Sequence, residues 1–352
     1  MKHTTYDIAL IGTHFLAQAL KKHLNSKGFS VALLEVFNYE ENYFEFFYGL
    51  EDTEKHKQAI TNFESILDCK FLDTEQNLNV NILDDKNQKI SPMWKSYVES
   101  GQAISLDGIV DWTTKQRDLS KADTFSLVQV KKEITEDTNK SFFKVQISSD
   151  KKEITVKNLI SLNSLQNLEN FCNLDQKLIS FSKSLKPFLY TAVHLKLTHS
   201  KDFVLQKENF EKKDLHIFQN KNFHHCVGRL KEDESYWTCF IPYEDFEFDT
   251  SLSMKAIHFL KNKIKTIYPT LLDSCIKEKI IVETSLYANQ FFKGFSNKKT
   301  QLVLDSQNFI NETCKKENKD LFFAISSKVY SEHSLPALWT SFKTASTLIT
   351  HT

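Results

Sequence analysis

The chain has 352 residues, 41% apolar and 26% charged, and its 45 basic and 45 acidic residues cancel to zero formal charge. That is the balance of a globular protein of two or three domains or subdomains, long enough to bury a large core. Zero net charge gives no electrostatic footprint for nucleic acid or anionic lipid, and no apolar run approaches the ~18 residues of a membrane helix.

The N-terminus enters a strand within six residues, with no apolar signal region before it, which predicts a cytoplasmic protein. Residues 6–11 (YDIALI) are a continuous apolar run, as in a buried parallel strand. A turn at Gly12-Thr13 follows, then a helix with Leu16, Leu20 and Leu24 on one face. Gly28 is placed to end that helix, and residues 31–36 (VALLEV) form a second apolar strand carrying the acid Glu35. Strand, turn, helix and strand in this order make a βαβ unit with a right-handed crossover.

Residues 37–115 give mixed signals. The stretch 37–50 is aromatic and acidic, and 54–67 reads as a helix. From about residue 124 the pattern becomes a three-stranded meander, 125–134, 141–148 and 153–162, with turn-like DTNK and SDKK between. Its last strand is placed to return to a parallel sheet. Residues 185–203 and 214–242 read as strands, and 254–267 as an amphipathic helix with Ile257, Leu260, Ile264 and Ile267 inward. Residues 321–326 (LFFAIS) are a buried strand, and 336–349 a closing helix with proline near its start.

The six cysteines, at 69, 172, 226, 239, 275 and 314, include no Cys-x-x-Cys pair. An even count permits disulfides, but free thiols are the expectation. Only seven glycines occur, where average usage would give about 25. This bears on ligands, because glycine lets a backbone approach a phosphate closely.

The order of parts resembles the flavin-containing amine oxidases, protoporphyrinogen oxidases and phytoene desaturases. The run Gly12-Thr13-His14-Phe15-Leu16-Ala17 falls on the family's G-x-G-x-x-A, and Glu35 falls on the acid about 20 residues later. At the other end, Ile325-Ser326 falls on the family's Gly-Asp or Gly-Glu, and the run from Ser341 to Ser346 on S-G-x-x-A-A. The resemblance implies an α/β fold: a Rossmann-like FAD/NAD(P)-binding domain from residues 1–48, 120–180 and 300–352, with an inserted α+β substrate-type domain from 49–119 and 181–299. It implies FAD as the cofactor, held at Gly12, Thr13, His14, Ala17, Glu35, Val130, Ser326 and Ser341.

Four departures point to an eroded site. His14 stands where the second glycine would let the pyrophosphate approach. Residues 37–58 hold one glycine and no arginine where the family has R-x-G-G-R, although phosphates need cationic and backbone donors. The acid of Gly-Asp is replaced by Ser326, and Phe342 replaces the glycine of the closing helix, where a phenyl group would fill part of the flavin site. The expectation is therefore a non-catalytic binding or accessory protein derived from an FAD-dependent oxidoreductase, as the Rab GDP-dissociation inhibitors keep this fold without flavin. The alternatives are an active FAD-dependent oxidoreductase acting on an amine or unsaturated apolar substrate, and an NAD(P) enzyme.

Other features take ordinary readings. His224-His225-Cys226 reads as strand residues, so no metal is expected. His194 is expected on the polar face of a strand. The cluster Tyr39, Tyr43, Phe44, Phe46, Phe47 and Tyr48 is either packing under a loop or a groove for an apolar small molecule or protein partner. No nucleic-acid partner is expected.

Overall fold

A computed structural model of the chain describes residues 5–35, 53–71, 75–77, 80–83, 102–104, 106–134, 141–147, 152–162, 171, 176, 179–180, 183, 190–200, 215–219, 225–231, 233–286, 321–323 and 335–350. The central strand of the first sheet is β1 (Thr5–Ile11), an apolar run because both its faces are covered. It leads through a turn into α1 (Phe15–Ser26) and on to β2 (Val31–Glu35), which pairs parallel with β1. Gly28 takes φ +89 after α1, a conformation that favours glycine. The expected βαβ unit is present, and Leu16, Leu20 and Leu24 are all buried.

Further along are α2 (Thr53–Leu67), β3 (Glu75–Asn77), β4 (Val80–Leu83), β5 (Gln102–Ile104), α3 (Asp107–Ser120) and β6 (Thr124–Ser126). The meander follows as β7 (Gln129–Ile134), β8 (Ser141–Gln146) and β9 (Glu153–Ser161). What reads as one strand at 125–134 is two. β6 lies parallel to β2, whereas β7 turns away to pair with β8. β9 returns to the parallel sheet beside β1, as expected, and β15 (Leu321–Phe323) pairs with its C-terminal half. The order is β6-β2-β1-β9-β8-β7.

This sheet divides two cores. Ile8, Leu10, Val31, Leu33 and Ile160 face the helices, and Ala9, Ile11, Ala32, Leu34 and Leu159 face the meander. The helical side gathers α1, α2, α3 and the closing helix α6 (Leu335–Thr350). Residues 49–119 are thus not all part of the substrate-type unit. α2 and α3 pack on α1 because Phe63, Leu67, Ile109 and Trp112 complete the core over the first sheet.

The second sheet has the order β14-β10-β13-β12-β11-β4, with β10 (Tyr190–His199), β11 (Leu215–Gln219), β12 (His225–Leu230), β13 (Glu234–Pro242) and β14 (Cys275–Leu286). Between β13 and β14 come α4 (Tyr243–Phe248) and α5 (Leu252–Ile267). Ile257, Leu260 and Ile264 of α5 pack on Val193, Leu195, Trp237 and Ile241. A Cβ on Gly228 would lie 2.1 Å from the Trp237 ring, which is why β12 carries glycine there. The opposite face bears His194, Tyr236, Thr238 and Arg229, all buried. His194 thus lies on the polar face of its strand, as expected, but that face is not solvated. It is wholly covered, because the second face of this sheet is buried too, and its Nδ1 shares a 2.8 Å hydrogen bond with Thr238 Oγ1. Asp107 at the start of α3 joins the two sheets' units. Arg229 Nη2 donates to both its carboxylate oxygens at 3.2 and 3.1 Å, and Lys231 Nζ lies 2.6 Å away.

Candidate functional site

In an open parallel sheet, ligands bind beyond the C-terminal strand ends where the strand order reverses. Here β1 is followed in sequence by β2 on one side and joined by β9 on the other, so that point lies between β1 and β9. The chain leaves β1 at Gly12, whose N–H donates to the Leu34 carbonyl at 2.9 Å, and leaves β9 at Leu162, whose N–H donates to the Ile11 carbonyl at 3.1 Å. Gly12 has φ +136, a backbone conformation that side chains oppose.

His14 caps α1 with extended backbone, φ −70 and ψ −179, and its side chain makes no capping bond. Its ring folds back over the turn. A Cβ placed on Gly12 would meet His14 Nε2 at 3.3 Å, His14 Cδ2 at 3.5 Å and Leu162 Cβ at 3.6 Å. The imidazole thus lies over the turn beside the ends of β1 and β9.

Beneath the loop is a polar network. The Thr13 carbonyl accepts from Gln18 Nε2 at 3.3 Å and from Arg117 Nε at 3.2 Å. Ser120 Oγ donates to Gln18 Oε1 at 3.1 Å. One turn further along α1, buried Lys21 Nζ lies 2.9 Å from Asp123, and Tyr6 OH donates to the same carboxylate at 3.2 Å. Burial, reinforced by Asp123, pushes the Tyr6 hydroxyl up to about 12. Arg117, Gln18 and Ser120 are missed by sequence reasoning. A local signal for α3 is an acid at its start with an arginine in its last turn.

The remaining predicted positions lie on separate elements. Ala17 is wholly buried on α1, and Glu35 is half-buried at the end of β2. Val130 is buried against the meander, and its N–H donates to the Phe171 carbonyl at 2.8 Å. Ser341 is buried within α6. Ser326 and Ile325 lie outside the described residues, as do residues 37–50, the aromatic cluster and His224.

Phe342 is buried in α6. Its ring stacks on Trp339 at 5.4 Å, packs edge-on to Phe63 at 5.6 Å and lies 5.3 Å from His23. His23 is nine residues past His14, about 13 Å further along the helix axis. Phe342 thus packs into the helical core between α1 and α2, away from the Gly12 turn.

Among the described residues no group of three or more metal-binding side chains occurs, and no described helix is long and apolar enough to cross a membrane.

The strand order, the glycine turn at the reversal point and the second sheet joined through α3 define the fold of FAD-binding Rossmann-like oxidoreductases of the amine oxidase type. A solved putrescine oxidase with putrescine bound is similar over 99% of this chain and 100% of its own, at TM-score 0.57 and 10% identity. Cyclohexylamine oxidase from Brevibacterium oxydans IH-35A is similar over 98% of this chain and 99% of its own, at TM-score 0.56 and 9% identity. A geranylgeranyl bacteriochlorophyll reductase-like protein from Thermoplasma acidophilum covers 98% of this chain with 78% of its own, at TM-score 0.53 and 9% identity. At such identities the likeness is one of fold alone. No protein-family model matches the sequence, and no curated protein matches it significantly.

Proposed function

We propose that this chain keeps the amine oxidase fold but holds FAD weakly or not at all, and serves as a binding or accessory protein rather than a redox catalyst. The position of the His14 ring carries this reading. A dinucleotide's pyrophosphate rests on the first turn of the helix after β1, and the second glycine leaves room for it. Here an imidazole lies across Gly12 at that place. Two further features support the reading. The Val130 N–H, a position implied to face the cofactor, already donates to Phe171. The closing motif carries Ile325-Ser326 in place of glycine and acid. With zero formal charge, the partner is an apolar small molecule or a protein and not nucleic acid. The setting is the cytoplasm.

One observation favours a second reading, an active FAD-dependent oxidoreductase with an unusual site. Arg117 brings a guanidinium to the Thr13 carbonyl, beside the loop where phosphates would lie.

Absorbance and melting separate the two. The first reading expects a colourless purified protein whose melting temperature does not rise with saturating FAD. It also expects His14→Gly to bind FAD at least ten times more tightly than the parent. A yellow protein with flavin absorbance, or a wild-type melting rise with FAD that His14→Gly leaves unchanged, overturns it.

A further inference from the structure

We propose that Cys226 and Cys239 are a cross-strand dithiol that a peroxide closes into a disulfide within the second sheet. The two residues stand directly opposite one another on β12 and β13. Both are wholly buried on the face that α5 covers. Their sulfurs are 3.1 Å apart, one thiol donating to the other.

The geometry is close to that of the bonded pair. A disulfide needs about 2.0 Å between sulfurs, so closure asks for about 1 Å of approach shared between two χ1 rotations. Opposed residues of an antiparallel pair have Cα atoms about 4.5 or 5.5 Å apart, and both values fall within the disulfide range of roughly 4.4–6.8 Å. The other two described cysteines differ. Cys69 is half-buried after α2, and Cys275 at the start of β14 donates to the Lys277 carbonyl at 3.2 Å.

Burial selects the oxidant. A peroxide is small enough to pass through a brief opening of the α5 packing, whereas a bulky low-molecular-weight disulfide is not. One thiolate attacks a peroxide oxygen, the O–O bond breaks, and a sulfenic acid and one water result. The second thiolate then attacks the sulfenic sulfur, the S–S bond forms, and the oxygen leaves as a second water. Two thiols and one hydrogen peroxide thus give one disulfide and two waters. The pair loses two electrons and the peroxide gains them. Burial pushes the Cys239 thiol upward, so the reaction runs through brief openings of the α5 packing rather than in the resting fold.

The test is oxidation of the full chain with hydrogen peroxide, then denaturing alkylation and peptide mapping by mass spectrometry. We expect one dithiothreitol-reversible cross-link joining Cys226 to Cys239, lighter by two hydrogens. In C69S/C172S/C275S/C314S, which retains only this pair, the alkylatable thiols fall from two to none. In Cys239→Ser, Cys226 stops at a sulfenic acid that dimedone traps. The proposal is overturned if Cys226 and Cys239 stay alkylatable, if either pairs with another cysteine, or if both pass to sulfinic acid without a cross-link. The wild-type map decides the matter alone if the variants do not fold.

Discussion

His194 sits in the middle of β10, wholly buried, with Nδ1 held to Thr238 Oγ1 at 2.8 Å. Burial lowers its pKa from 6.5 to about 3, so the ring is neutral in the folded protein. In the unfolded chain it titrates at the ordinary value. Between pH 6.5 and 3 the unfolded state therefore binds the extra proton, and stability falls as pH falls. Each pH unit removes about 1.4 kcal/mol. At pH 4.5, two units below 6.5, the loss is about 2.7 kcal/mol, a large share of the roughly 5–15 kcal/mol that holds a typical domain together. His194→Asn keeps a side-chain nitrogen or oxygen near Thr238 and cannot take up a proton. It starts from a lower stability at pH 7.5 because it leaves a small cavity, so the quantity to compare is the change between pH values. Urea unfolding of both proteins at pH 7.5 and pH 4.5 should show the wild type losing about 2.7 kcal/mol more than the variant. Equal losses would refute the argument.

Phe342→Ala should cost about 3–5 kcal/mol in urea unfolding, because the ring is buried against Phe63 and Trp339. It should leave FAD affinity unchanged, whereas a gain on titration would place the ring back at the cofactor site. Asp107→Ala should destabilise by about 1.5–3 kcal/mol, since it removes a charged acceptor from an Arg229 side chain that is 2% exposed, while Asp107 itself is 39% exposed. Lys231→Met, at a partly exposed pair, should cost about 1 kcal/mol or less, and similar costs for the two would contradict this. Gly228→Ala should lower the melting temperature sharply, because the new methyl would enter the Trp237 ring. An unchanged melt would mean that the ring moves freely.

The βαβ unit is legible in the sequence because all its determinants are local: an apolar run, a glycine turn, leucines at helical spacing and a second apolar run. α3 is not legible, since DGIVDWTTKQRDLS is mostly polar and has only Ile109, Val110 and Trp112 to mark a face. Its burial comes from contact with α1, which no local pattern announces. β6 and β7 merge in the sequence because alternation runs through both, and only pairing with β2 separates them. β14 is hidden likewise, as CIKEKIIVETSL lies at the described edge of the second sheet with Ile276 and Ile280 exposed. His194 takes the polar face that alternation assigns it, but alternation predicts which side a residue takes, not whether that side meets water. At the site, the departure at His14 is visible in the sequence, but Arg117 reaches Thr13 across 104 positions of chain.

On the proposed reading the fold is kept without a cofactor, and the side-chain contacts around the loop give the physical reason. In a holoprotein, the dinucleotide's phosphates accept from the N–H groups at the helix start and so brace the loop from outside. Here the Thr13 carbonyl takes two protein donors, Gln18 is held by Ser120, and Lys21 is neutralised by Asp123. The Gln18–Thr13 bond holds α1 to its own loop, and the other three tie that loop or α1 to α3 or to the turn after it. On the proposed reading, this bracing is what allowed the second glycine to become histidine. Without a ligand to admit, a ring over Gly12 adds packing at the reversal point and obstructs nothing the protein still uses. The same bracing implies that His14→Gly reopens space without unravelling the loop, which is why that variant, and not a deletion of the network, is the informative one.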